Sequence, residues 1–376
     1  MKVCIFDDEP LALEYLAHQL SQLDNMDVLF TSTEPLIHEH MLKDIDIVFS
    51  DIEMLEMNGL ELAEKILEYN PSIHIVFVTA HNQYAIEAFE MNALDYLLKP
   101  VTVDRLKKTI QRINTTNVSI KSNLRDPSTK LRVNVLGELT FQFCDKTKPE
   151  DIRWRTAKSK ELFLYLLHYE SKVVLKSELV EALWNEIDID KLYSHLYVSI
   201  YNIRHSLRMF NDYIKITNIG DGYLLKLHNV ILDKKEWKNQ LLENPEITID
   251  TLEEQEEIMQ LYAGSYLNIH DYIWLQGERF ELEEMWLHRS KLIADCYNFS
   301  NQFEKAISWY LTIIKNRPED EHAAFSLMKI YASLHYRMLV DYQYKEIQKS
   351  LSELNLEIDP QIADWYSKWK NTTKQQ

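Results

Sequence analysis

Four short apolar runs in the first hundred residues share one design. Val3-Cys4-Ile5-Phe6, Ile45-Asp46-Ile47-Val48-Phe49-Ser50, Ile73-His74-Ile75-Val76-Phe77-Val78 and Leu94-Asp95-Tyr96-Leu97-Leu98 have the length and β-branched content of strands buried on both faces of a parallel sheet. Each run ends in polar residues: Asp7 and Asp8 after the first, Asp51 after the second, Thr79 after the third, Lys99-Pro100 after the fourth. Equivalent ends of parallel strands share one edge, and open α/β sheets bind ligands at that carboxyl edge. A lone aspartate after a strand is more often a helix cap or turn residue than a reactive group. Here five polar groups converge on one edge, and that outweighs the ordinary reading of any one of them.

Further along, the pattern changes twice. Residues 116–130 are rich in Asn, Ser and Thr with too little apolar content to pack, and read as a linker. Hairpin strands then follow in Leu131-Arg132-Val133-Asn134-Val135-Leu136 and Leu139-Thr140-Phe141-Gln142-Phe143. Helical spacing takes over with Leu162, Leu166 and Leu167 on a first helix, and Leu179, Leu183 and Trp184 on a second starting near Lys176. A third, from about Asp190, turns Leu192, Leu196, Ile200, Ile203 and Leu207 inward. Tyr213-Ile214-Lys215-Ile216 and Tyr223-Leu224-Leu225-Lys226 flank Gly220-Asp221-Gly222 as a β-ribbon. Three helices and a ribbon over residues 131–232 make a winged helix-turn-helix, whose third helix enters the DNA major groove. The chemistry on that helix fits the use, since asparagine can read adenine and arginine can bind guanine or phosphate. Its candidates are His195, Tyr201, Asn202, Arg204 and Arg208, with Lys215 on the wing. Residues 233–372 are helical throughout, with apolar pairs such as Trp286-Leu287, Ala306-Ile307 and Leu327-Met328 and a break at Asn316-Arg317-Pro318-Glu319. Such two-sided helices are buried by stacking as hairpins.

The edge residues carry a definite chemistry. Three crowded carboxylates repel one another and hold protons unless a cation neutralises them, and hard oxygen ligands with room for water suit Mg²⁺. Adding a hydroxyl and an ammonium completes what phosphoryl transfer to a carboxylate requires: cations on the equatorial oxygens, a donor to one of them, and an in-line nucleophile. Asp51 is the candidate nucleophile.

Composition narrows the classes. The chain has 376 residues and is 46% hydrophobic, enough for two or three domains. Only six glycines argue against glycine-rich nucleotide loops elsewhere. No run approaches the ~18 apolar residues of a membrane span, so a cytoplasmic protein without a membrane segment is expected. Cys4, Cys144 and Cys296 have no paired spacing and read as buried, reduced thiols. The net charge of −18 is unevenly spread: residues 1–115 carry 8 basic and 20 acidic side chains, residues 130–230 carry 15 and 13, and residues 233–376 carry 16 and 25. Only the middle segment tolerates a polyanion.

Through these residues, the segment 1–115 resembles a two-component response-regulator receiver domain, an α/β flavodoxin-like fold with a doubly wound five-stranded parallel sheet. The resemblance implies Asp51 as phosphoacceptor and Asp7, Asp8, Asp51 and the Glu53 carbonyl as Mg²⁺ ligands. It also implies Thr79 and Tyr96 as switch residues, Lys99 as the phosphate-binding cation, and a cis Lys99-Pro100 bond. Leu55 departs from the family, where a proline is usual. Residues 131–232 resemble the OmpR-type winged helix of Streptomyces antibiotic regulatory proteins through Leu136-Gly137, Arg155 to Leu167, Leu183-Trp184, the run Val198 to Arg204, and Gly222-Tyr223. That likeness adds Ser199 to the DNA candidates, while relatives often carry an arginine at or beside Tyr201 and Asn202. Tyr262 to Leu267, Glu278-Arg279, Arg317 to Glu321 and Leu351 to Pro360 are similar to the bacterial transcriptional activator domain, an all-α tetratricopeptide-like module.

The combined expectation is a response regulator, not an enzyme, phosphorylated on Asp51 by a sensor histidine kinase. It would bind double-stranded DNA as a transcriptional activator, with a homodimer on phosphorylation and RNA polymerase as a further partner. The alternatives are a phosphorylation-independent regulator with a degenerate receiver and a protein-interaction scaffold.

Overall fold

The computed structural model describes residues 1–35, 39–113, 129–184 and 189–374. The chain forms two compact units, Met1–Thr129 with Glu150–Val230, and Lys130–Pro149 with Ile231–Gln376. The expected linker at 116–130 lies, up to residue 128, outside the described residues.

Strands β1 (Lys2–Phe6), β2 (Asp27–Ser32), β3 (Ile47–Ser50), β4 (His74–Thr79) and β5 (Asp95–Leu98) form a five-stranded sheet in the order β2-β1-β3-β4-β5. Every pair is parallel. Helix α1 (Pro10–Ser21) joins β1 to β2, α2 (Gly59–Tyr69) joins β3 to β4, α3 (Ala85–Glu90) joins β4 to β5, and α4 (Val103–Ile113) follows β5. The two-residue period of a strand sends Val3 and Ile5 into a core with Leu16, Leu20 and Leu106, and Cys4 and Phe6 into another with Leu60, Ala63 and Ile66. Both faces of the sheet are therefore covered, as the uninterrupted apolar runs require. Strand order reverses between β1 and β3, so the ends of these two strands border the crevice where such sheets take ligands.

The chain then enters the second unit through the hairpin β6 (Leu131–Asn134) and β7 (Thr140–Phe143). It returns to the first with α5 (Ala157–His168), β8 (Val173–Leu175), α6 (Lys176–Leu183), α7 (Ile189–Ser206), β9 (Ile214–Ile219) and β10 (Gly222–Leu227). The Thr156 side chain caps α5 by accepting from the Ser159 N–H at 3.0 Å. Strands β9 and β10 make an antiparallel ribbon that β8 extends, in the order β8-β10-β9. A Cβ on Gly222 would lie 2.6 Å from the Val174 carbonyl oxygen, so β8 and β10 approach this closely only with glycine there.

The second unit continues with β11 (Val230–Leu232), which joins the hairpin in the order β11-β6-β7. It ends in helices α8 (Asp233–Glu243), α9 (Leu252–Gln260), α10 (Gln276–Phe299), α11 (Phe303–Asn316), α12 (Glu321–Ser333), α13 (Arg337–Glu353) and α14 (Pro360–Lys374). From α10 to α13 each helix packs on the next. Asn301, His335 and Asn355 take positive φ values between these helices, the left-handed conformation that ends a helix and reverses the chain.

One grouping differs from the sequence reading, which places residues 131–232 in one module. The hairpin belongs with the C-terminal helices instead. The buried Asp233 carboxylate accepts the N–H groups of Val135 at 2.9 Å and Leu136 at 2.9 Å, Arg132 pairs with Glu236 at 2.7 Å, and Leu136 bridges to Tyr266. The thiols also differ: Cys4 is buried, but Cys144 is exposed and Cys296 half-buried, and all three are free. Among the described residues, no helix is long and apolar enough to cross a membrane.

Candidate functional site

Asp7 and Asp8 follow β1, and Asp51 follows the adjacent β3, held to it by its N–H donating to the Phe6 carbonyl at 2.9 Å. One carboxylate oxygen from each of the three lies within 4.8 Å of the others. Asp7 and Asp51 are buried, at 2% and 7% exposure, and Asp8 is half-buried. Lys99, at the end of β5, places its ammonium 2.6 Å from Asp51 Oδ2 and 2.8 Å from Asp7 Oδ2. The Lys99-Pro100 bond is cis.

The electrostatics follow from this crowding. Burial raises the Asp7 pKa above the ordinary carboxylate value, against the opposing pull of Lys99. Burial works against the Lys99 ammonium, but its bonds to Asp51 and Asp7 outweigh that and raise its pKa. Asp51 Oδ1 also accepts the Ile52 N–H at 2.6 Å. Thr79, wholly buried at the end of β4, accepts the His81 N–H at 3.3 Å. The Tyr96 hydroxyl donates to the His81 carbonyl, and burial pushes its pKa up to about 12. Glu53 is exposed, its side chain 2.9 Å from His81 Nε2.

The loop after Asp51 leads into α2 with little slack. Asn58 caps that helix by accepting the Leu60 N–H at 2.8 Å, and the Gly59 N–H donates to the Ile52 carbonyl at 2.7 Å. A Cβ at Gly59 would stand 1.9 Å from the Asp51 carbonyl oxygen, so only glycine lets α2 begin this close to the site. Three hard carboxylates at one sheet edge suit a small divalent cation, with Lys99 already covering part of their charge.

The DNA-contact candidates fall into two groups. Arg208 and Lys215 are exposed and His195 is half-buried. Ser199 and Asn202 are buried, and Tyr201 and Arg204 are partly so. Arg204 ion-pairs with Glu64 and, at 2.8 Å, with Glu68, and it donates to the Ile216 carbonyl at 2.9 Å. Tyr201 OH accepts from Asn92 Nδ2 at 2.8 Å, and Asn202 Oδ1 accepts from Arg155 at 3.4 Å. The residues facing α7 from α2 were not singled out by sequence reasoning. Their signal is an acidic stripe, Glu61, Glu64 and Glu68, at helical spacing.

Residues 3–111 match the sequence model of the response regulator receiver domain. The chain is 31% identical over 148 residues to the transcriptional regulatory protein LytR of Staphylococcus aureus, covering 39% of this chain and 60% of that protein. It is 41% identical over 112 residues to a response regulatory protein of Vibrio vulnificus, covering 29% of this chain and 46% of the relative. The chain thus spans at most 60% of the length of these relatives. Among solved structures, the response regulatory domain of protein mrkE from Klebsiella pneumoniae is 33% identical, covering 31% of this chain and 96% of that one, with a TM-score of 0.29. Residues 3–111 of this chain form a response regulator receiver domain.

Proposed function

We propose that the chain is a two-component response regulator whose Asp51 takes a phosphoryl group from a sensor histidine kinase and whose middle segment binds double-stranded DNA. The observation that carries the first half is the ammonium of Lys99 set between Asp7 and Asp51 beside a third carboxylate. An Asp51 oxygen attacks phosphorus in line. The new P–O bond forms as the P–N bond to the donor imidazole breaks, and the imidazole leaves with the electron pair and takes up a proton. Lys99 neutralises one equatorial oxygen and the Thr79 hydroxyl donates to another. Asp7, Asp8, Asp51 and the Glu53 carbonyl would hold Mg²⁺, which supplies further charge neutralisation on the phosphoryl oxygens. The protein is an acceptor and turns over no substrate of its own.

The succession of helices α5, α6 and α7 and then the β9–β10 ribbon supports a winged-helix reading, with α7 as the major-groove helix. In this reading His195, Ser199, Tyr201, Asn202, Arg204, Arg208 and Lys215 supply base and phosphate contacts. The stacked helices α10–α13 act as a tetratricopeptide-like surface that passes the signal to a partner such as RNA polymerase. The regulator works in the cytoplasm as a phosphorylation-dependent homodimer that activates transcription.

The test is intact mass after incubation of the whole protein with a small-molecule phosphodonor and Mg²⁺. One phosphoryl group should be gained by the native chain, and none by Asp51→Asn or after chelation of the metal. Equal gain by Asp51→Asn would refute the assignment of the acceptor.

A further inference from the structure

The loop that follows Asp51 borders a cleft of about 420 Å³ within the first unit. Its walls come from residues 52–58, the first turn of α2, Gln83 and Tyr84 before α3, and Lys191 at the start of α7. That volume falls in the ~300–1,000 Å³ range of small-molecule sites. Apart from Glu53, whose carbonyl is assigned above to the metal, the lining is separate from the groups that handle the phosphoryl.

Much of the wall is apolar. Leu55 is 91% exposed, more than any other large apolar side chain among the described residues. It stands where the receiver resemblance places a proline, so this chain carries a longer apolar side chain at the rim. A leucine this open to water gains most from being covered. Met54 and Met57, both half-buried, line the same cleft. Methionine is unbranched and polarisable and adapts to varied apolar partners. A bare metal ion would gain nothing from such walls.

The charges select the sign of the ligand. Glu53, Glu56 and Glu61 line the cleft with a single ammonium, that of Lys191. Glu61 already has its charge met by Lys176 at 2.6 Å and Lys65 at 2.8 Å. Glu53 meets His81 Nε2 at 2.9 Å and accepts from Gln83 Nε2 at 3.4 Å. Glu56 is exposed and forms no ion pair with any described residue. An ammonium or guanidinium entering the cleft finds this carboxylate unmatched, whereas an organic anion is repelled by it.

Ile52, another lining residue, joins the cleft to the acceptor. Its N–H donates to Asp51 Oδ1 at 2.6 Å, and its carbonyl accepts the Gly59 N–H at 2.7 Å. A molecule seated against this loop restrains the backbone that positions the acceptor carboxylate.

We propose that the cleft is a binding site for a small organic amine, an ammonium or guanidinium on an apolar body. The charge sits at Glu56, the body lies on Met54, Leu55 and Met57, and occupancy stiffens the loop between Asp51 and α2. The site depends on neither the phosphoacceptor assignment nor the winged-helix reading.

The test uses the whole protein with ¹³C-labelled methionine methyls, 2-phenylethylamine as the probe, and phenylacetate as a control of similar body and opposite charge. Met54→Leu and Met57→Leu identify the two signals among those of the 11 methionines. Both signals should shift saturably by ~10 mM amine, and amide exchange across residues 52–59 should slow. Glu56→Gln, an exposed substitution that leaves the fold intact, should weaken binding about threefold, the size of one exposed ion pair. Equal shifts with phenylacetate, or unchanged affinity in Glu56→Gln, would overturn the choice of a cation. Shifts without slower exchange would overturn the stiffening of the loop. No saturable shift with the amine would overturn the site, and would leave Asp51 as acceptor untouched.

Discussion

Asp7 and Asp95 are both buried carboxylates of the receiver, yet their pKa values move in opposite directions. Asp7 shares one ammonium with Asp51 and accepts one backbone N–H, from Glu9 at 3.1 Å, and burial dominates. Asp95 accepts from Arg105 at 2.7 Å, Thr109 at 2.7 Å, Arg112 at 2.9 Å and the Tyr96 N–H at 3.0 Å. Burial opposes its charge, but the bonds from Arg105 and Thr109 outweigh that and hold its pKa below the ordinary 3.8. A depressed carboxylate favours the folded state at pH values above its unfolded pKa, and that contribution is lost as pH falls through the folded value. Asp95→Asn should therefore cost about 1–2 kcal/mol at neutral pH, less than a fully buried pair because Arg105 and Arg112 are partly solvated. The deficit should shrink as pH falls below about 4, first as Asp95 of the unfolded chain takes up a proton and completely once the folded carboxyl does so at lower pH. Thermal melts of both chains from pH 7 to 3 would show it, and parallel curves would contradict it.

At the scale of elements, the Val135–Leu136 segment that follows β6 is held by one side chain from α8. Asp233 sits at 4% exposure and accepts three backbone N–H groups, from Val135, Leu136 and, at 2.7 Å, Lys234. Alanine there would leave buried donors unpaired at about 1–3 kcal/mol each, so Asp233→Ala should lower stability by about 3 kcal/mol or more, read from denaturant midpoints. Asp233→Asn, which keeps acceptor oxygen, should lose less. This dependence was hidden from the sequence because Asp233 is nearly a hundred residues from Val135 and carries no pattern of its own. Strands β1, β3, β4 and β5 were readable for the opposite reason: each is written as a local apolar run that ends at the edge carrying Asp7, Asp51, Thr79 and Lys99, whereas β2, with no fully buried residue, has no such run. Helix α7 shows the limit of periodicity. Leu192, Leu196, Ile200, Ile203 and Leu207 mark one inward face, but Tyr197 and Val198 form a second, packed on the receiver. Spacing identifies an apolar face without naming what covers it. The three-residue strands β8 and β11 are too short to carry a period at all.

At the scale of the whole molecule, the order of segments along the chain does not match their grouping in space. The first unit is assembled from Met1–Thr129 and Glu150–Val230, and the second takes Lys130–Pro149 from between them. A boundary at residue 232, natural from sequence, would therefore cut through the second unit. A chain truncated after Leu232 keeps β6, β7 and β11 but loses Asp233, Glu236 and Tyr266, the residues that pair with the hairpin and the Val135–Leu136 segment following β6. Leu131, Val133, Phe141 and Phe143, each at most 2% exposed in the whole chain, would lose the helices of their unit. The three short strands that remain would have no helix of their unit left to cover their apolar face. The truncated protein should bind a hydrophobic dye and exchange its 131–134 and 140–143 amides rapidly, while β1 and β3 through β5, whose core lies in the other unit, keep their protection. Native-like protection of the hairpin in the truncated chain would instead mean that residues 131–232 stand as a module without the C-terminal helices.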